Sequence, residues 1–149
     1  SNSGNKIFLN DRSVTDQIRS STVTEKVSEV SAINVVRDSM VQIQREIADN
    51  TDCVLEGRDI GTVVFPNADF KFFLVAGLKI RALRRQKDLN KIGEKKTIDE
   101  IKADIRLRDE LDTNRDNSPL LKAKDAIEID TGLLTVDEQI DKIVSIIKQ

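Results

Sequence analysis

Apolar residues along this chain fall into two rhythms, short continuous runs and stripes spaced three and four apart, and the two alternate from end to end. Lys6-Ile7-Phe8-Leu9-Asn10 reads as a short strand stopped at Asn10-Asp11. Thr22–Ile33 places Val23, Val27 and Val30 on one helical face. Asn34 is the expected N-cap of a second helix, in which Val36, Met40, Ile43 and Ile47 recur at helical spacing until Asp49-Asn50. Cys53-Val54-Leu55-Glu56 predicts a buried strand, followed by a turn from Gly57 to Gly61. Phe70-Lys71-Phe72-Phe73-Leu74-Val75 is the clearest strand, and Gly77 leads from it into a basic helix with Arg81, Arg84, Arg85 and Lys87. From Lys87 to Lys96 the chain turns polar around Gly93, the pattern of a mobile connector. Thr97-Ile98-Asp99-Glu100 and Thr135-Val136-Asp137-Glu138 are capping boxes, in which the glutamate reaches back to the threonine amide. The first opens a helix with Ile98, Ile101 and Ile105 as its stripe; the second opens one with Ile140, Ile143, Val144 and Ile147 facing inward. Between them Ala126-Ile127-Glu128-Ile129 gives a last strand. Strands alternating with helices predict an α/β layer architecture with parallel pairing.

Composition narrows the chemistry. At 149 residues the chain amounts to one domain. No apolar run approaches the ~20 residues of a membrane span, and no basic segment followed by an apolar stretch marks a leader. The lone cysteine, Cys53, has no partner for an internal disulfide, which fits a reducing cytoplasm. Its place in an apolar run reads as a small core residue rather than a nucleophile. The absence of histidine excludes His-ligated zinc and Ser-His-Asp catalysis. A net charge of −2 and few aromatics argue against nucleic acid as a partner.

Two segments carry the candidate chemistry. Arg108, Asp112 and Arg115 lie at i, i+4 and i+7 and share a helical face. Such a charge run is by itself most often a solvated face laced with salt bridges. The sequel Asn114-Arg115 and Ser118-Pro119-Leu120 breaks the helix where those charges would meet a cleft. Gly57-Arg58-Asp59-Ile60-Gly61-Thr62 follows a strand, and a turn at the carboxyl end of a buried strand is where ligands bind in open α/β sheets. It can equally be a plain connecting turn with Arg58 paired to Asp59. Arg58 offers a two-pronged donor to a phosphate, and Asp59 can accept from an exocyclic amine such as that of cytosine. Arg84-Arg85 is either an exposed basic pair or a clamp on a triphosphate.

Gly57–Thr62, the run Arg108-Asp109-Glu110-Leu111-Asp112-Thr113-Asn114-Arg115, and Ser118-Pro119-Leu120, at this separation, resemble the cytidylate kinases, the bacterial CMP/dCMP kinases. The resemblance runs from about Lys6 to the C-terminus. It implies a P-loop-kinase-like, three-layer parallel sheet with helices on both faces, and transfer of a phosphoryl group from ATP to CMP or dCMP with Mg²⁺ in the cytoplasm. By the same resemblance, Ser28, Arg37 and Asp59 read the cytosine, Arg58 and Arg115 hold the phosphate, and Arg108 with Asp112 hold the sugar. Arg84 and Arg85 stand at donor-phosphate positions. Residues 1–33 correspond to the remainder of the monophosphate-binding insert, residues 34–149 to the core, and about 87–97 to the lid.

The departures are equally specific. Members of the family open with a strand and a G-x-x-x-x-G-K-[ST] loop whose amides and lysine cradle the donor phosphates. The six glycines, at 4, 57, 61, 77, 93 and 132, build no such loop, and Gly93-Glu94-Lys95-Lys96-Thr97 echoes it with the wrong spacing. Leu111 and Thr113 stand where relatives often carry charged residues. By the family layout the P-loop strand and helix, roughly the first third of the enzyme, are missing from this sequence. The expectation is therefore a fragment inactive alone, with self-association or a missing N-terminal segment completing its sheet. The alternative is a non-catalytic module binding a nucleotide or a protein.

Overall fold

The computed structural model describes residues 6–148. Residues 1–5, part of the predicted insert, lie outside the described residues. An N-terminal hairpin pairs β1 (Phe8–Leu9) antiparallel with β2 (Arg12–Ser13). Its turn residues, Asn10 and Asp11, both have positive φ (48° and 63°), which two-residue hairpin turns require and these residue types tolerate. The expected strand thus exists, and Asn10-Asp11 reverses the chain rather than merely ending it.

A 3-10 turn at Gln17–Arg19 leads into α1 (Ser21–Ser31), whose N-cap Ser20 accepts from the Val23 amide. Helix α2 (Asn34–Ile47) follows. Its N-cap position falls on Ile33, and Asn34 makes no capping bond. The Asn34 side chain instead accepts from Asn117 at 3.2 Å.

β3 (Phe72–Val75) and β4 (Ile127–Asp130) pair in parallel, Phe72 opposite Ile127 and Val75 opposite Asp130. Between them run α3 (Leu78–Lys91) and α4 (Ile98–Asn114). These two helices run in opposite directions, because Arg81 near the start of α3 meets Asp109 near the end of α4. Ala82, Leu89 and Ile101 form a buried core between them, flanked by Ile98 and Ile105 as the stripe predicts. The polar stretch from Lys87 is not a loose connector at its outset. Residues 87–91 belong to α3, with Leu89 buried, and the helix closes on Gly93 at φ 82°. The amide of Glu94 donates to Leu89 O and that of Gly93 to Asn90 O, a paired C-cap that needs the left-handed conformation glycine adopts without strain. Both capping boxes form. Glu100 Oε2 accepts from the Thr97 amide at 2.7 Å, and Glu138 Oε2 from the Thr135 amide at 2.7 Å, opening α4 and α5 (Val136–Ile147).

The buried strand expected at Cys53–Glu56 and the inward face expected on the last helix fail for one reason, and the α2 stripe shows it too. Cys53–Glu56 joins no ladder among the described residues; Cys53 is exposed and Val54 fully so. A strand exists only against a neighbour, and none lies alongside this one. On α2, Met40, Ile43 and Ile47 are exposed while Val41 is buried. On α5, Ile140, Val144 and Ile147 are exposed where an inward face was expected. The apolar stripes are present as read, but no described element covers them. The described residues thus form an α/β chain with two two-stranded sheets.

Candidate functional site

Asp112, near the C-terminal end of α4, is the hub of the charged residues. Its side chain is 4% exposed, and groups from two other parts of the chain and from α4 itself converge on it. Ser28 Oγ of α1 donates to Asp112 Oδ1 at 3.2 Å. Arg58, from the segment before the 60–64 turn, places Nε 3.2 Å from Asp112 Oδ2. Arg108 Nε lies 3.7 Å from the same oxygen, and Arg115 Nη1 3.7 Å from Oδ1. The helical periodicity thus puts Arg108, Asp112 and Arg115 on one face, and tertiary packing turns that face inward rather than leaving it solvated.

A second ion pair adjoins the first. Arg37 of α2 pairs with Asp59, both side chains largely buried. Asp59 begins a single π-helical turn, Ile60–Val64. Its carbonyl receives the amides of Thr62, Val63 and Val64, and the Phe65 amide closes the turn on Ile60 O at 2.7 Å. A Cβ at Gly57 would lie 2.9 Å from Ile60 Cγ1, so any larger residue there would push the Ile60 side chain aside. Past the end of α4, Ser118 is buried with φ 54°, and its carbonyl accepts from Arg115 Nε at 2.6 Å. The Leu120 amide donates to Asp112 O at 2.8 Å, folding the 115–120 loop back onto the helix end.

The electrostatics are unbalanced toward positive charge. Four arginines, Arg37, Arg58, Arg108 and Arg115, surround two aspartates, Asp59 and Asp112. Burial lowers the pKa of Arg108, and the nearby Arg58 charge lowers it further. Burial does the same to Arg115, helped by Arg37. Both guanidinium groups stay charged at neutral pH, so the shifts register burial first and the crowding of like charges second. Arg37 Nε, Arg108 Nε and Arg115 Nη2 are buried without an aligned acceptor. Asp59 Oδ2 and Asp112 Oδ2 sit at ion-pair distance from arginines yet receive no aligned hydrogen bond. Leaving such groups unsatisfied costs about 1–3 kcal/mol each, so the cluster is chemically suited to an anionic ligand rich in acceptor oxygens.

All seven residues expected at the monophosphate site therefore come together: Ser28, Arg37, Arg58, Asp59, Arg108, Asp112 and Arg115. The two expected donor-side arginines separate. Arg84 donates to the carbonyl and hydroxyl of buried Thr131, which in turn donates to Val75 O, so it ties α3 to the strand ends. Arg85 Nη2 reaches Thr24 Oγ1 at 3.5 Å, and its charge is among those felt by Arg108. Arg81 holds Asp109 at 2.7 Å, and Arg45 of α2 donates to Val63 O and Val64 O. The sequence reading missed Arg45; its only signal was a basic residue two turns along from Arg37. A groove of about 490 Å³, lined by Val41, Arg45, Val63 and Ser118 among others, lies beside the cluster and shares none of the seven residues.

Arginines and aspartates from α2, the segment before the 60–64 turn and α4 thus gather with Ser28 of α1 in an α/β chain. Comparison with known proteins gives the family: the cytidylate kinase profile matches residues 1–149, and the chain belongs to that family. A cytidylate kinase of Halalkalibacterium halodurans is 46% identical over 144 residues, covering 97% of this chain and 65% of the relative. One from Cytophaga hutchinsonii is 49% identical over 139 residues, covering 93% and 59%. One from Thermosipho melanesiensis is 45% identical over 147 residues, covering 99% and 68%. The chain thus spans about two thirds of the length of these relatives and corresponds to their C-terminal portion. No helix among the described residues is long and apolar enough to cross a membrane.

Proposed function

We propose that this chain carries the acceptor-nucleotide site of a cytoplasmic cytidylate kinase, an enzyme that moves the γ-phosphoryl group of ATP onto CMP or dCMP. The observation that carries the reading is the set of buried, unpaired guanidinium N–H groups around Asp59 and Asp112. A nucleoside monophosphate supplies partners for them: phosphate oxygens for Arg115, joined by the neighbouring Arg58, and sugar hydroxyls for Arg108 and Asp112. Ser28, Arg37 and Asp59 take the cytosine. Asp59 favours the base's amine over the carbonyl of uracil, because a carboxylate only accepts.

Phosphoryl transfer depends on positioning and charge neutralisation more than on a strong base, which suits a chain without histidine. This chain's own contribution is to orient the acceptor oxygen by gripping base, sugar and phosphate at once. On the donor side, ATP supplies the transferred group. Arg85, beside Arg108, is the better-placed phosphate contact, since Arg84 is engaged by Thr131. Among the described residues no group of three or more His, Cys, Asp or Glu could hold a metal ion.

The parallel β3–β4 pair supports two strands of a P-loop-kinase-like sheet, with Cys53–Glu56 as a third whose neighbour comes from outside this chain. In that layout residues 1–33 are the remainder of the insert, 34–149 the core and about 87–97 the lid. The test is equilibrium dialysis of the chain against labelled CMP, dCMP and UMP. Saturable binding that favours the cytidine nucleotides supports the reading, and absence of saturable CMP binding overturns it.

A further inference from the structure

We infer that Arg45 is a positioning residue for base discrimination, an inference that rests on the acceptor-site reading above. The carboxylate of Asp59 can be no better placed than the backbone that carries it. That backbone is a single π-helical turn whose amides converge on Asp59 O, leaving Val63 O and Val64 O at its far end without backbone donors. Arg45 supplies both donors from one guanidinium, Nη2 to Val63 O at 2.7 Å and Nε to Val64 O at 2.9 Å. A planar fork meeting two successive carbonyls fixes orientation as well as distance.

The same helix, α2, grips the other end of the turn through Arg37 and the Asp59 carboxylate. Val41, midway between Arg37 and Arg45 on α2, is buried, and so is Val64 at the far end of the turn. The turn is therefore docked on α2 at both ends, and the separation of Arg37 from Asp59 is set by the helix rather than by the loop. Release at Arg45 lets the turn pivot about Asp59. The effect falls on the group that tells an amine from a carbonyl and spares the phosphate contacts of Arg58 and Arg115.

The experiment compares the chain with R45A and R45K by equilibrium dialysis against CMP and UMP, with amide hydrogen exchange at Thr62, Val63 and Val64 in parallel. R45A should weaken CMP binding about tenfold while changing UMP little, so that the CMP/UMP ratio collapses. R45K, which keeps charge but reaches one carbonyl, should fall between. General loss of structure would lower both nucleotides alike and leave the ratio intact. Exchange protection of the three amides should drop in R45A whether or not nucleotide is present. An unchanged ratio in R45K and R45A, or unchanged protection, overturns the inference. If R45A does not fold, R45K alone decides on the same two readouts. Failure of the unmutated chain to bind CMP defeats the acceptor-site reading itself and the discrimination role with it, whereas loss of protection would still mark Arg45 as the clamp of the turn.

Discussion

Ser28 and Asp112 are 84 residues apart in sequence and 3.2 Å apart in space, and their hydrogen bond ties α1 to the arginine-lined face of α4. Asp112 is also the shared counter-charge of Arg58, Arg108 and Arg115. Replacing it with alanine leaves buried Arg115 and half-buried Arg58 and Arg108 without their shared counter-charge. Asp112→Ala should therefore destabilise the chain by about 3 kcal/mol, the cost of breaking a buried pair from one side. Ser28→Ala removes one hydrogen bond and should cost about 1 kcal/mol. Urea unfolding followed by far-UV circular dichroism measures both. Equal effects of the two substitutions would show that Asp112 is not the hub.

Asp59→Ala and Arg115→Ala should injure different properties of nucleotide binding. Losing Asp59 relaxes the preference for CMP over UMP, because the amine-accepting group is gone. Losing Arg115 weakens both nucleotides alike, since a phosphate contact carries no information about the base. Dialysis of each variant against both nucleotides checks this. A CMP/UMP ratio unchanged by Asp59→Ala would remove the base-reading role.

What was legible in the sequence follows from the range of the interactions. The capping boxes at Thr97 and Thr135 close within three residues, so the local pattern suffices and both form. The face of Arg108, Asp112 and Arg115 is a matter of helical periodicity, again local. Ser28 and Arg37 carry no such signal; they look like ordinary exposed helical residues, and only the family resemblance singled them out. Arg45 was invisible because its partners are backbone carbonyls on a turn 18 and 19 residues on, and a π-helical turn has no residue signature. Cys53–Glu56 was read as a buried strand because its side chains suit one, but strand formation depends on a neighbour that no local pattern reports.

Acid should loosen the helix starts. Hydrogen bonds from the Thr97 side chain and backbone hold the Glu100 carboxyl below its ordinary value. Backbone and side-chain bonds from Thr135 do the same for Glu138. The hydrogen bond from Lys71 lowers Asp125. A carboxylate with a depressed folded pKa contributes stability that is present above its ordinary value and lost as pH falls through the folded one. Helicity and thermal stability should thus decline on acidification below the ordinary carboxylate range. The double variant Glu100→Gln, Glu138→Gln should flatten that decline, measured as melting temperature against pH. A decline of undiminished slope would assign the acid sensitivity to other groups.

This 149-residue chain should show no phosphoryl transfer alone, because its sequence holds no glycine-rich loop and lysine to cradle the donor phosphates. A coupled assay with ATP and CMP should read background. Turnover well above a buffer control, from material free of host kinase, would show that Arg85 and its neighbours suffice, or that the chain is organised differently.

The exposed apolar surface should drive association. Val54 is fully exposed in a segment that would suit a strand, and Leu74 on β3 is 53% exposed. Among the described residues β3 is paired on one edge, by β4, and open on the other. Backbone groups left in this way face water at little cost, but they template pairing with another chain, and the adjacent apolar side chains gain by it. The stripes on α2 and α5 add Met40, Ile43, Ile140 and Val144 to the same account. Static light scattering across a concentration series should therefore show apparent mass rising with concentration. Val54→Lys should reduce the rise, because a charged side chain on an open edge opposes a second strand without touching any packed residue. A monodisperse monomer over the whole series would mean that the open edges are shielded in solution, and the sheet-completion argument would fall with it.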